Sequence, residues 1–312
     1  MGSYVQIFID DEDKPGNIPD FETITTQCFE LGPKQATAIN ISGVRISVDK
    51  KSDGDVSDIW VKFGPNVTMG EARTQQFVAQ YLEAENNHDV RAPRVYLAFT
   101  WGVYGYIVSE FIDGPMCDLS DAALVAPAVQ ALIAIPPPSS TPGPVGGGLI
   151  EHPFFIERQS SIQYESVKDL EDHVNGILYV TERKLRVRLR DEVAKYGLRL
   201  CPSDLKPVNF MKGKDGRIVA VDYAGYSFLP PSFFAMALRN ETFAHELSTI
   251  LQYPPCKNNG NALETASYAM VPFGTNKMGE EISLLSLLFP HARTPSQLYY
   301  TGLTKRLRAL VL

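Results

Sequence analysis

A chain of 312 residues, 44% hydrophobic and 21% charged, is long enough to bury a sizeable core and to divide into two lobes. A formal net charge of −7 leaves no surplus of lysine and arginine to displace phosphate counterions, which argues against a nucleic-acid binder, and no apolar run approaches the ~18 residues that span a bilayer. Cys28, Cys117, Cys201 and Cys256 lack zinc spacing and the N-terminus lacks a signal-peptide core, so a reducing, cytoplasmic compartment is expected.

Residues 1–35 read as an N-terminal extension: an acidic turn from Asp10 to Gly16, then a short helix over Phe21 to Leu31, with no chemistry assigned. Val44 to Val48 alternates as a half-buried strand does, and Asp53-Gly54 is the turn of a hairpin into Ile59 to Phe63. Gly43, ending Asn40-Ile-Ser-Gly43, marks either a plain turn or a loop covering a nucleotide. Lys62 sits in the second of these strands between Val61 and Phe63. A helix follows from Met69 to Leu82, with Phe77, Val78, Tyr81 and Leu82 at helical spacing and Glu71 in its first turn. Alone, Lys62 is a lysine on a solvated face and Glu71 a glutamate favoured by the helix dipole. Arg94 to Phe99 and Gly105 to Ile112 are two further strands, the second ending at Asp113-Gly-Pro115.

Beyond this point the composition turns helical. Ala122 to Ile135 predicts a buried helix stopped by Pro136-Pro-Pro138. The Pro/Gly-rich run 139–148 matches no phosphate-binding motif and is expected to be a substrate-side loop or lid, with a passive linker as the alternative. Val167 to Tyr196 carries the longest helical pattern, with Leu178, Leu185, Leu189 and Val193 on one face. Arg183, Lys184, Arg186, Arg188 and Arg190 are expected to be solvated and paired with Glu182, Asp191 and Glu192, and Gly197 to cap the end. Phe228 to Met236 and Tyr268 to Phe273 suit core packing or the wall of an organic pocket. The five histidines show no metal spacing.

Between these segments lies the pattern D-x4-N-x12-D, formed by Asp204, Asn209 and Asp222. The turn Lys214-Asp-Gly-Arg217 joins Phe210-Met211 to Ile218–Val221, which brings the loop holding Asp204 and Asn209 next to Asp222 at the end of the second strand. These residue types suit phosphoryl transfer. Asp204 accepts the proton of an attacking hydroxyl, Asn209 and Asp222 offer hard oxygen ligands to Mg2+, and Lys206 adds a point charge for the transferred phosphate.

The Asp204-Leu-Lys-Pro-Val-Asn209 block, the strand-bounded Asp222, the Lys62 strand and Ser109 to Gly114 resemble the aminoglycoside-phosphotransferase and choline-kinase-like branch of the protein-kinase-like fold, above all its fungal members. The resemblance runs from about Ile39 to Pro231. It implies a bilobal α+β fold: a small antiparallel-sheet lobe over 1–112 that binds nucleotide, and a larger, mainly helical lobe over 113–312 that holds the catalytic residues and the substrate. It further implies that Lys62, held by Glu71, contacts the α and β phosphates of ATP, and that main-chain groups of Glu110 and Ile112 hydrogen-bond adenine. Mg2+ then sits on Asn209 and Asp222, and Asp204 and Lys206 serve a hydroxyl of a small molecule. Only eight residues separate Asp222 from Pro231, with no Ala-Pro-Glu motif, so the acceptor is expected to be a metabolite and not a protein. A monomer or weak homodimer, without membrane or nucleic-acid partners, is expected.

One departure from the family stands at Pro202-Ser203-Asp204, where the pattern is His-Gly-Asp or His-Ser-Asp. The family's histidine braces the backbone near the second acid, and a proline ring has no donor for that. The alternative function is therefore a degenerate kinase fold that binds nucleotide or metabolite without transferring phosphate; some other chemistry on a metabolite is a third.

Overall fold

The computed structural model describes residues 4–35, 43–50, 52, 54–239 and 241–279. In chain order its first lobe comprises β1 (Val5–Asp10), α1 (Phe21–Gln35), β2 (Gly43–Ser47), β3 (Asp58–Gly64), α2 (Met69–Ala84), the two-residue β4 (Val90–Arg91), β5 (Val95–Trp101) and β6 (Tyr104–Glu110). Five of these strands form an antiparallel sheet ordered β1-β5-β6-β3-β2. Alternation assigns each face its helix: Val44, Ile46, Val61 and Val108 pack with Ile24 and Cys28 of α1, whereas Val95, Ala98 and Ile107 pack with Ala72 of α2. Lys62 is opposite Ile107 in the β3–β6 register, so it lies on the α2 face.

The edge strand β1 was not expected from the extension 1–35. Only Ile9 of its six residues is buried, so its apolar pattern is faint and its place comes from main-chain pairing to β5. Gly43 is explained by packing, since a Cβ there would lie 2.4 Å from the Trp60 ring. Asn40 to Ser42 and Asp53 lie outside the described residues, as does His291.

The second lobe contains α3 (Ala122–Ala134), α4 (Val167–Val180), α5 (Leu189–Tyr196), β7 (Arg199–Pro202), β8 (Phe210–Lys212), β9 (Ile218–Ala220), β10 (Tyr226–Leu229), α6 (Pro231–Ala237), α7 (Thr242–Ser248) and α8 (Lys257–Met270). Strands β7 and β10 pair antiparallel, and the hairpin β8–β9 takes β4 alongside as a parallel third strand. Val129, Leu132, Leu170, Val174, Leu200 and Phe228 belong to the core that unites these elements. The aromatic run from β10 into α6 serves packing, with Phe228, Phe233 and Phe234 all buried, while in the segment from Tyr268 to Phe273 the side chains of Tyr268, Val271 and Phe273 are exposed. Among the described residues no helix is long and apolar enough to cross a membrane.

Two expectations are corrected here. The pattern over Val167–Tyr196 is two helices and not one: α4 is capped at Thr181, Glu182 takes a left-handed φ of 58°, and Leu185 is left exposed in the intervening basic stretch. Like charges crowded on one short segment favour such a break. Arg190 pairs with Glu171 on α4, while Glu192 turns inward to accept from the Ser232 amide and Asn259. Gly197, at φ 72°, closes α5 as anticipated.

The run 139–148 is a brace and not a lid. Gly143 and Phe228 exchange two backbone hydrogen bonds at 2.8 and 3.0 Å, and the Val145 amide donates to Thr74 Oγ1 of α2 at 2.9 Å. Gly70 meets this brace so closely that a Cβ would lie 2.9 Å from the Pro144 ring. The loop therefore ties the start of α2 to β10, and the glycines at 143, 146, 147 and 148 supply the positive φ values its path requires.

The crossing between lobes is docked in the same way. The Lys212 amide donates to Pro115 O and the Cys117 amide to Phe210 O, and a Cβ on Gly114 would lie 2.2 Å from Lys212 O. The hairpin that carries the acidic pattern is thus fixed to the segment linking the lobes.

Candidate active site

Lys62 comes from the middle of the sheet, and its position follows from strand alternation. Glu71 is in the first turn of α2, whose start is set by Thr68 as N-cap: its Oγ1 accepts the Glu71 amide at 3.1 Å. Asp222 follows β9 in a left-handed conformation, φ 60° and ψ 76°, sparsely populated for a non-glycine residue. The three meet. Lys62 Nζ donates to Glu71 Oε1 at 2.5 Å and to Asp222 Oδ1 at 2.7 Å, a contact across 160 positions of sequence that joins the lobes through one ammonium.

Burial would lower the pKa of Lys62, but the two carboxylates outweigh it and hold the ammonium above its ordinary value. At Glu71 burial dominates and lifts the carboxyl to about 7; Lys62 pulls it back and Asp222 pushes it further up. The folded carboxyl therefore keeps a proton that the unfolded chain loses near 4.5. Glu71's contribution to stability is fully present below that value and is lost as pH rises to about 7. In Glu71→Gln this slope should be absent, and urea titrations at the two ends of the window check it.

Asp204, Lys206 and Asn209 form a second group on the loop after β7. Asn209 Nδ2 donates to the Asp204 carbonyl at 2.8 Å and to its Oδ2 at 3.2 Å, while Lys206 Nζ is 2.9 Å from Asp204 Oδ1. Because the Asn209 amide nitrogen is spent on Asp204, its Oδ1 is the atom left to meet a cation. The Val221 amide donates to Asn209 O at 2.9 Å, tying this loop to the residue before Asp222. Asp204, Lys206 and Asp222 line one cavity of about 180 Å³.

Around Pro202 the backbone is held by main chain and a hydroxyl. Pro202 is opposite Tyr226 in the β7–β10 pair; the Ser203 amide donates to Gly225 O at 2.9 Å and Ser203 Oγ to Glu151 O at 2.9 Å. Ser203 therefore links the Asp204 loop both to the turn after Asp222 and to Glu151.

Glu110 and Ile112 lie apart from this cavity, at the crossing between lobes. The Glu110 amide donates to Arg94 O and is therefore spent within the protein, and its carboxylate accepts from Arg91. What remains there are the Glu110 carbonyl and the Ile112 main chain.

Sequence inspection missed Glu151. It emerges from the Gly/Pro-rich brace into the cavity, and its carboxyl is raised by burial; Lys62 counters that rise, while Asp222 and Asp204 add to it. A glutamate three residues past a glycine run carries no signal of its own. Its neighbour His152 is a fixed wall. Nδ1 accepts from the Phe154 amide, so Nε2 carries the proton toward Phe233 O, and burial holds the ring's pKa down at about 3. Cys201, three residues before Asp204, is buried and its thiol is pushed up, so it supplies no thiolate.

The chemistry of the donor set suits Mg2+. Two hard oxygens, Asn209 Oδ1 and the second oxygen of Asp222, match a small cation that takes one or two protein ligands and completes its shell with phosphate and water. Among the described residues no cluster of three or more His, Cys, Asp or Glu side chains is built to hold a metal unaided.

No protein family and no curated protein matches the chain. Solved structures overlap it in part. A spectinomycin phosphotransferase bound to ADP and spectinomycin shares 12% identity over 85% of each chain, with a TM-score of 0.41. The choline kinase of Streptococcus pneumoniae shares 14% over 85% of this chain and 98% of its own, at 0.37. An aminoglycoside phosphotransferase from Alicyclobacillus acidocaldarius shares 13% over 81% and 85%, at 0.33. Overlaps this slight bear on no residue of the site, which rests on the geometry above.

Proposed function

We propose that the chain is a Mg2+-dependent phosphotransferase that moves the γ phosphate of ATP to a hydroxyl of a small molecule, and that it belongs to the aminoglycoside-phosphotransferase and choline-kinase-like family, with its lobes divided near residue 112. The observation that carries this is the Lys62 bridge. A sheet lysine, a glutamate on the next helix and an acid after the hairpin, 160 positions from the lysine, converge beside Asp204 and Asn209. Three carboxylates line that cleft, Asp222, Asp204 and Glu151, against the cations of Lys206 and Arg158, and Lys62 is already engaged by Glu71 and Asp222. A triphosphate entering alone would meet net repulsion, so a divalent cation is required to balance it.

Lys62, positioned by Glu71, holds the phosphates; Asn209 and Asp222 hold the Mg2+, which when bound offsets their charge. The main chain at Glu110 and Ile112 receives the base. Asp204 orients the acceptor hydroxyl and takes its proton as the new O–P bond forms and the bond to the ADP oxygen breaks. Lys206, beside Asp204, steadies the moving phosphoryl group.

Thermal stabilisation tests the reading, because a ligand selective for the folded state raises its stability by about 2.7 kcal/mol at a hundredfold excess over Kd. ATP with Mg2+ should raise the melting temperature well beyond ATP alone. No shift at millimolar nucleotide overturns the proposal; a shift without phosphate transfer to any of a broad set of alcohols, read by mass, favours the degenerate alternative that Pro202 raises.

A further inference from the structure

The acceptor side of the cavity carries two charged side chains that no ion pair engages among the described residues. Asp204 has Lys206 and Asp222 has Lys62, but among the described residues neither the Glu151 carboxylate nor the Arg158 guanidinium has an ion-pair or hydrogen-bond partner. Both line the cavity with Asp204. They are presented by one closed loop: Glu151 and Gln159 bridge antiparallel, the His152 amide donates to Arg158 O at 2.9 Å, and the Arg158 amide donates to Phe155 O at 2.9 Å. Arg158 itself takes a left-handed φ of 62°, uncommon for a non-glycine residue, and the loop's hydrogen bonds hold it there. His152, neutral and committed on both ring nitrogens, adds no charge between them.

We propose that this loop selects the acceptor, and that the acceptor is a hydroxy amino acid whose ammonium lies on Glu151, whose carboxylate lies on Arg158 and whose hydroxyl points to Asp204. The assignment rests on the phosphotransfer reading and names its substrate class. The size of the cavity agrees: about 180 Å³ lies below the ~300–1,000 Å³ of pockets for drug-sized ligands, which suits a small acceptor. Glu151 is half-buried and Arg158 exposed, both on the wall of the cavity, and a zwitterion offers each a charge-assisted hydrogen bond at once. Burial raises the Glu151 carboxyl by more than Lys62 lowers it. In the reaction the acceptor oxygen bonds to the γ phosphorus, its proton passes to Asp204, and ADP departs, leaving an O-phospho amino acid.

The test is calorimetric binding to the full chain of two matched sets: L-serine with ethanolamine and hydroxypropionate, and L-homoserine with aminopropanol and hydroxybutyrate. One amino acid should bind at least about tenfold more tightly than both of its analogues, a difference of about 1.4 kcal/mol. Arg158→Gln should erase its advantage over the amino alcohol, and Glu151→Gln its advantage over the hydroxy acid, with circular dichroism confirming that each variant folds. If a variant does not fold, the wild-type comparison decides alone. Equal binding of an analogue, no binding of either amino acid, or a Glu151→Gln effect on Mg2+ requirement instead of on acceptor choice each overturns the proposal. Binding is measured without nucleotide, so failure here is separable from failure of stabilisation by ATP and Mg2+.

Discussion

Asp204→Ala is expected to lower kcat by about 10²–10⁴-fold, the range for loss of a positioned general base, while affinity for ATP with Mg2+ and the melting temperature stay close to wild type. The geometry separates these effects. The Asp204 side chain is 37% exposed and its carboxylate contacts only Lys206 and Asn209, both able to turn to water, so truncation leaves little unsatisfied. Its backbone carbonyl survives the change and continues to hold Asn209 Nδ2 at 2.8 Å, which keeps the proposed cation ligand in place. Single-turnover rates with saturating acceptor, set beside nucleotide titrations, check the separation. A variant that turns over at a near wild-type rate would remove Asp204 from the role of base, and one that loses nucleotide affinity to the same extent as kcat would make it a binding residue.

The site was legible where its residues sit at fixed offsets on regular elements. Lys62 could be placed by alternation because Val61 and Phe63 flank it in β3, Glu71 by its position in a helix whose cap is Thr68, and Asp222 by the end of a hairpin whose Lys214-to-Arg217 turn is plain in the sequence. The sheet strands β2, β3, β5 and β6 were legible for the same reason: their apolar contrast is strong. Strand β1 has almost none, and β4 is two residues held by pairing to β9, 128 positions on, so neither leaves a local trace. The 139–148 run misled because glycine and proline report backbone conformation and not partners. The same composition serves a mobile lid or a brace, and only Thr74 and Phe228 at the far ends of its hydrogen bonds decide between them. Glu151 was invisible because its neighbours in the cleft, Lys62, Asp204 and Asp222, all lie more than 50 positions away. The break after α4 was hidden by apolar spacing that continues through Leu185 although that residue faces water.

Asp222→Asn is expected to weaken binding of ATP with Mg2+ by about 10–100-fold, the equivalent of one charge-assisted contact at about 1.5–3 kcal/mol, and at the same time to strengthen binding of ATP without the metal. The second half follows from the charge count. In the wild-type protein Asp222 both occupies Lys62 at 2.7 Å and adds to the negative field of Asp204 and Glu151, so a bare triphosphate meets an engaged lysine and net repulsion. Asparagine keeps the size of the side chain and tolerates the left-handed φ of 60° better than alanine does, so the fold is retained while one negative charge is removed and Lys62 is left with Glu71 alone. The ratio of affinities with and without Mg2+ should therefore fall from both directions. If Asp222 were only the structural counter-ion of Lys62, the variant would lose melting temperature and leave that ratio unchanged. Titrations of nucleotide in Mg2+ and in chelator, alongside a melting curve of each protein, distinguish the two, and an unchanged ratio would take the metal off Asp222.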